Sequence, residues 1–155
     1  MNTPIQLIVG LGNPGDEHAH TRHNVGFWFV QSLAEWHQVV LKPEKKFKGL
    51  VASYQHQDRK IWLLCPTTFM NLSGDAMVAL ANFYQIPVEA ILVVYDDLDF
   101  APGAVKLKYG GGHGGHNGIR HALQSLSGKD FWRLRLGIGH PGHKHLVHSY
   151  VLSKP

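Results

Sequence analysis

Cysteine is almost absent from this chain of 155 residues: Cys65 is the only one. An internal disulfide and a thiolate metal cluster are therefore excluded, and a reducing compartment, the cytoplasm, is expected. Long apolar runs are missing too. None approaches the ~18 residues of a membrane helix, and Met1 to Leu11 has no basic flank followed by a cleavage site, so the sequence reads as soluble and not exported. No G-x-S-x-G motif occurs, which removes the usual serine elbow. Acids are scarce in the last third, where Asp130 stands against eight lysines and arginines, whereas residues 1–99 hold ten acids against seven. Seven of the 12 histidines fall in that basic third, and a polyanion bound there would favour their protonation. The imbalance points to a polyanionic partner; a region kept basic for solubility is the alternative.

What is present suffices for one globular domain. Apolar residues make up 44% of the chain, no repeat or linker divides residues 1–155, and a fold of this size buries ~70% of its unfolded surface. Apolar runs from Ile5 to Val9, Ile61 to Cys65 and Ile91 to Tyr95 end in turn chemistry and read as strands buried on both faces. Helical spacing runs from Val25 to Trp36, from Ser73 to Tyr84 and from Gly118 to Leu126. This alternation predicts an α/β fold with a twisted, mostly parallel sheet. The segments Val105 to Tyr109 and Trp132 to Ile138 instead alternate apolar and basic residues, which predicts strands with one packed face and one polar face. If the two are neighbours, Lys106, Lys108, Arg133 and Arg135 form a basic surface suited to phosphates.

In open α/β sheets ligands bind beyond the carboxyl ends of the strands. The first strand is followed by Gly10-Leu11-Gly12-Asn13-Pro14-Gly15 and then Thr21-Arg22-His23-Asn24. The glycines formally match a dinucleotide loop, the only support for a nucleotide-dependent oxidoreductase. The expected acid about 20 residues on is missing, however, so tight-turn geometry around Asn13-Pro14 is preferred. His23 is the simplest general base, oriented by an acid such as Asp96 and acting on water; a solvated or capping histidine at a helix start is the alternative. Asn13, Asn71 and Asn117 follow three different strands, and each amide can serve an oxyanion or a peptide group. Ser73-Gly74 reads as a helix cap. The run Gly110 to Gly115 can bring backbone N–H groups close to a phosphate or a substrate. His113 with His116, or His140, His143 and His145, would be the metal candidates, but no acid or cysteine accompanies them at ligand spacing.

Six separated motifs together resemble the bacterial-type peptidyl-tRNA hydrolases: Val9 to Gly15, Thr21 to Gly26, Pro66 to Gly74, Asp96 to Asp99, Gly110 to Gly118 and Arg133 to Pro141. They run in the family's order over nearly the whole chain. The resemblance implies a monomeric, three-layer α/β/α enzyme that hydrolyses the ester joining a peptide to the 3′ end of tRNA, without a metal or organic cofactor. By the same resemblance His23 is the base and Asp96 its partner. Asn13, Asn71 and Asn117 hold the peptide, the terminal nucleotide and the reacting carbonyl, Met70 and His116 line the cleft, and Lys108 and Arg135 sense a tRNA phosphate. His18 stands where the family commonly has tyrosine. Members usually continue past Pro155 into a C-terminal helical segment, which residues 1–155 are expected to lack. An RNA-binding module that keeps the basic platform but has weakened chemistry is the competing expectation.

Overall fold

Alternation along the most apolar strands decides the layering. In the computed structural model, which describes residues 3–15, 17–126, 128, 130–142 and 146–155, strand β1 (Leu7–Gly10) is buried throughout. Leu7 and Val9 point to one face of the sheet, where they meet α2 (Ser73–Phe83) and α3 (Asn117–Ser125) through Met77, Leu80, Ile119 and Ala122. Ile8 points to the other face and meets Phe27, Val30 and Ala34 of α1 (Val25–Trp36). The expected three-layer α/β/α arrangement follows from this division.

The remaining strands are β2 (Lys42–Glu44), β3 (Gly49–His56), β4 (Arg59–Pro66), β5 (Ile91–Asp97), β6 (Val105–Tyr109) and β7 (Trp132–Gly137), and a short α4 covers Val147–Val151. The sheet order is β2-β3-β4-β1-β5-β7-β6. The central four, β4, β1, β5 and β7, are parallel, while β2, β3 and β6 add antiparallel edges. The sheet is thus mixed around a parallel centre. The carboxyl ends of β1, β4 and β5 share one rim, and the chain leaves β1 toward one side of the sheet and β4 toward the other, the arrangement that opens a crevice in such folds.

Three expectations need correction. The glycines after β1 serve close packing more than turn geometry: a Cβ on Gly10 would collide with the Gly26 carbonyl, and one on Gly12 would lie 2.8 Å from the Phe27 ring, while only Gly15 of the three has positive φ. Strand β6 has no packed face. All five of its residues are exposed, Leu107 by 61%: among the described residues no helix is packed over this edge strand, and Tyr109 is only flanked by the Trp132 ring of β7 at 4.9 Å. Finally, Ser73 does not cap α2 with its side chain. Its hydroxyl donates back to the Met70 carbonyl at 2.7 Å, and the Gly74 amide donates across to Nδ1 of His121 in α3 at 2.9 Å.

Candidate active site

Residue His23 sits in a single 3-10 turn, Arg22–Asn24, that leads directly into α1. Gly26 lets this turn approach the sheet, since a Cβ there would lie 2.6 Å from the Leu11 nitrogen. The turn is braced from behind by the C-terminal segment. The Arg22 amide donates to the Ser153 carbonyl at 2.9 Å, and its guanidinium lies 4.2 Å from the centre of the Tyr150 ring. The ring of His23 is thereby held over the end of β5, where Nδ1 stands 2.7 Å from Oδ2 of Asp96.

Asp96 is buried and faces two imidazoles at once. His116 Nε2 is 2.7 Å from the other carboxylate oxygen, Oδ1. Burial opposes ionisation of Asp96, but the two imidazoles more than offset it and hold the carboxyl well below the usual range. His116 is also the N-cap of α3: its Nδ1 accepts from the amides of Gly118 at 3.1 Å and Ile119 at 3.3 Å. An atom that accepts two N–H groups carries no hydrogen of its own, so the His116 proton lies on Nε2 and is donated to Asp96. Burial pushes the His116 pKa below the ordinary imidazole value, against the pull of Asp96. The triad therefore holds a neutral His116, an ionised Asp96, and a His23 whose Nδ1–H is donated to that carboxylate.

Asn13 is fixed just as tightly. Its Oδ1 accepts the Met70 amide at 2.7 Å, which orients the side chain and leaves Nδ2 as its remaining donor. Asn24 clamps the Asn13 backbone from both sides, accepting from its N–H at 2.8 Å and donating to its carbonyl at 2.9 Å. Sequence reasoning assigned Asn24 no role; its place beside the candidate base was the signal available. Asn71 and Asn117 are exposed and adjoin Met70 and His116 in the chain. Met70, expected in the cleft wall, has its side chain buried in the core, and it is the backbone amide of this residue that reaches the site.

The basic platform divides. Register pairs Lys106 with Arg135 and Lys108 with Arg133 across β6 and β7, so the two strands are neighbours as expected. Lys106 and Lys108 are exposed, and Arg135 is half-buried, 3.6 Å from Asp97 and stacked over Phe100 at 4.8 Å. Arg133 departs from the expectation. It is 1% exposed and donates to the carbonyls of Gly111, at 2.6 Å, and Gly112. Its guanidinium therefore anchors the glycine run and does not offer itself to phosphate.

Of the possible metal ligands, the His23, Asp96 and His116 donors lie within 4.8 Å of one another; the hydrogens shared between them already occupy the intervening space. His113 and His140 each turn Nδ1 to a nearby glycine amide, and His143 and His145 lie outside the described residues. Cys65 is inert as a nucleophile, since burial pushes its thiol up to about 12.

A family model described as Peptidyl-tRNA hydrolase matches residues 7–155. The chain belongs to the peptidyl-tRNA hydrolase family. It is similar to the peptidyl-tRNA hydrolase of Vibrio cholerae, with 57% identity over 99% of the chain and 79% of that protein. The peptidyl-tRNA hydrolase of Delftia acidovorans is 56% identical over 97% of the chain and 73% of its own length. The crystal structure of peptidyl-tRNA hydrolase from Acinetobacter baumannii superposes with a TM-score of 0.95 at 50% identity, covering all of the chain and 79% of that structure. Membership of the peptidyl-tRNA hydrolase family agrees with the three layers described above, and no helix among the described residues is long and apolar enough to cross a membrane.

Proposed function

We propose that this chain hydrolyses peptidyl-tRNA with His23 as general base. Nε2 of His23 takes a proton from a water molecule as the water oxygen attacks the ester carbonyl. The bond between the acyl carbon and the tRNA ribose oxygen then breaks, and the ribose hydroxyl leaves with the proton returned from His23. Asp96 stabilises the transient imidazolium and fixes which ring nitrogen is free. A buried carboxylate can do this at low reorganisation cost because it accepts from both histidines before the reaction starts.

Asn13 supplies Nδ2 to the developing oxyanion, since its Oδ1 is already bound to the Met70 amide. Asn71 and Asn117, exposed and next in the chain to Met70 and His116, hold the peptide and the terminal nucleotide. Lys106, Lys108 and Arg135 receive tRNA phosphate, with Lys108 lying against Gly111 of the loop that Arg133 anchors. The reading extends to a monomer acting in the cytoplasm, where translation supplies the substrate. The observation that carries it is the 2.7 Å link between His23 and an Asp96 already bound by His116. The experiment is peptide release from purified peptidyl-tRNA. Salt-dependent tRNA binding without any turnover would favour the RNA-binding module instead.

A further inference from the structure

Cations in the first two-thirds of the chain are not spread evenly. Six of the seven lysines and arginines in residues 1–99 fall within residues 42–60, namely Lys42, Lys45, Lys46, Lys48, Arg59 and Lys60, against two acids, Glu44 and Asp58. Lys42 lies on β2, Lys45, Lys46 and Lys48 in the turn between β2 and β3, and Arg59 and Lys60 at the start of β4, on the half of the sheet away from the Lys106 and Lys108 strand. Arg59, Lys60 and Trp62 lie on β4, and four strand spacings of ~4.8 Å set that strand roughly 19 Å from β6.

Here the cations border a continuous row of rings. Phe47 meets Phe83 edge-on at 5.4 Å, Phe83 meets Tyr84 edge-on at 4.9 Å, and Tyr84 stacks on Trp62 at 4.1 Å and 21°. A lysine stands over each end: Lys46 is 5.0 Å from the Phe47 centre and 4.5 Å from that of Phe83, and Lys60 is 5.0 Å from that of Trp62. Both lysines are exposed, and Phe83 is 59% exposed. Trp62 and Tyr84 floor an open depression of about 390 Å³ with Arg59, Lys60 and Gln6 on its walls. Asp75 lies 4.0 Å from Lys48, and among the described residues no carboxylate is ion-paired with Lys46, Arg59 or Lys60.

One exposed ring, Phe83, beside the half-buried Tyr84 and Trp62 and bordered by cations, matches the chemistry of single-stranded nucleic acid, whose bases stack while its phosphates follow the charges. A duplex would keep its bases stacked on each other and could not use the rings. We infer that the face formed by Lys46, Phe83, Tyr84, Trp62, Arg59 and Lys60 is a second RNA-contact surface, separate from the catalytic cleft, that takes a single-stranded segment. A base stacks on the exposed Phe83, and phosphates lie on Lys46, Arg59 and Lys60. Nothing in this surface depends on the role given to His23.

The test is fluorescence anisotropy of a labelled 12-nucleotide oligouridylate with the full chain across a salt series. A double Lys46→Gln, Lys60→Gln variant should weaken binding about tenfold or more and flatten the slope of log K against log salt by roughly 1.4, the value for two lost phosphate contacts on a single strand. Phe83→Ala, at an exposed position, should weaken it several-fold through lost stacking. Peptide release should be unchanged in both variants. The inference is overturned if the wild type fails to bind the oligonucleotide at low salt, or if Lys108→Gln with Arg135→Gln abolishes binding that Lys46→Gln, Lys60→Gln leaves intact. A Phe83→Ala variant that binds like wild type would equally remove the stacking on which the assignment depends.

Discussion

His116 donates from Nε2 to Asp96 while its Nδ1 receives the first free amides of α3. One side chain thus ties a helix terminus to the carboxylate that orients the base, and the two links can be separated by substitution. Asparagine places its oxygen near the position of Nδ1 and is itself a favoured N-cap. Glutamine reaches as far as Nε2. His116→Asn should keep helix stability but lose turnover and shift the pH profile of kcat, because Asp96 loses a donor. His116→Gln should retain more activity but lose about 1 kcal/mol of stability with the cap. Kinetics and thermal melts on both variants check this; identical behaviour of the two would contradict it.

Acid should destabilise the protein in a defined order. Burial lowers the folded pKa of His116, so its contribution is fully present above the unfolded value of about 6.5 and is lost as pH falls through the folded value. Asp96 is also depressed, so its contribution holds above about 3.9 and fades only at lower pH. Tm should therefore fall between neutral pH and pH 5, and the fall should be smaller in His116→Asn, which has nothing to titrate there. A wild-type Tm that stays level or rises on acidification, or an equal fall in the variant, would contradict this order.

Asn13 offers a clean separation of acceptor from donor. Asn13→Asp keeps an oxygen for the Met70 amide but removes Nδ2 and places an anion near the reacting carbonyl. Turnover should drop about 10² to 10³-fold, the usual cost of one oxyanion donor, with kcat affected far more than KM. A change confined to KM would move Asn13 from the oxyanion to ground-state binding.

The arginines of β7 should behave as opposites. Lys108→Ala and Arg135→Ala are expected to impair peptidyl-tRNA much more than a short aminoacyl-ester mimic, since phosphate contacts lie outside the mimic. Arg133→Ala should impair both substrates by a similar factor and cost on the order of 3 kcal/mol of stability, because it releases charge-assisted hydrogen bonds to the glycine run. A selective effect of Arg133→Ala on tRNA substrates would return it to the phosphate platform.

Much of this was legible in the residues, for physical reasons that also mark where legibility stopped. The apolar spacing of Val25 to Trp36 and the fully apolar runs of β1, β4 and β5 survive folding because burial on the expected faces decides them. His23 and Asp96 were readable as partners since His23 follows one parallel strand and Asp96 stands at the end of another, on the same rim. The β3 hairpin was not anticipated: its two-residue turn is Gln57-Asp58, with Gln57 at φ 55°, and contains none of the glycine that normally signals such a turn. The burial of Arg133 depends on carbonyls more than 20 residues away, and no local pattern encodes that. The exposed face of β6 shows the same limit, since alternation states which side chains share a face but not whether anything covers it.

The central claim is that His23, held by Asp96, activates the water that cleaves the ester. Single-turnover release of peptide from purified peptidyl-tRNA tests it most directly when wild type is compared with His23→Ala at matched tRNA occupancy. The account predicts a fall of about 10² to 10⁴-fold in the cleavage rate, the range of a lost general base, with tRNA binding nearly unchanged. Equal cleavage rates for the two proteins would contradict it.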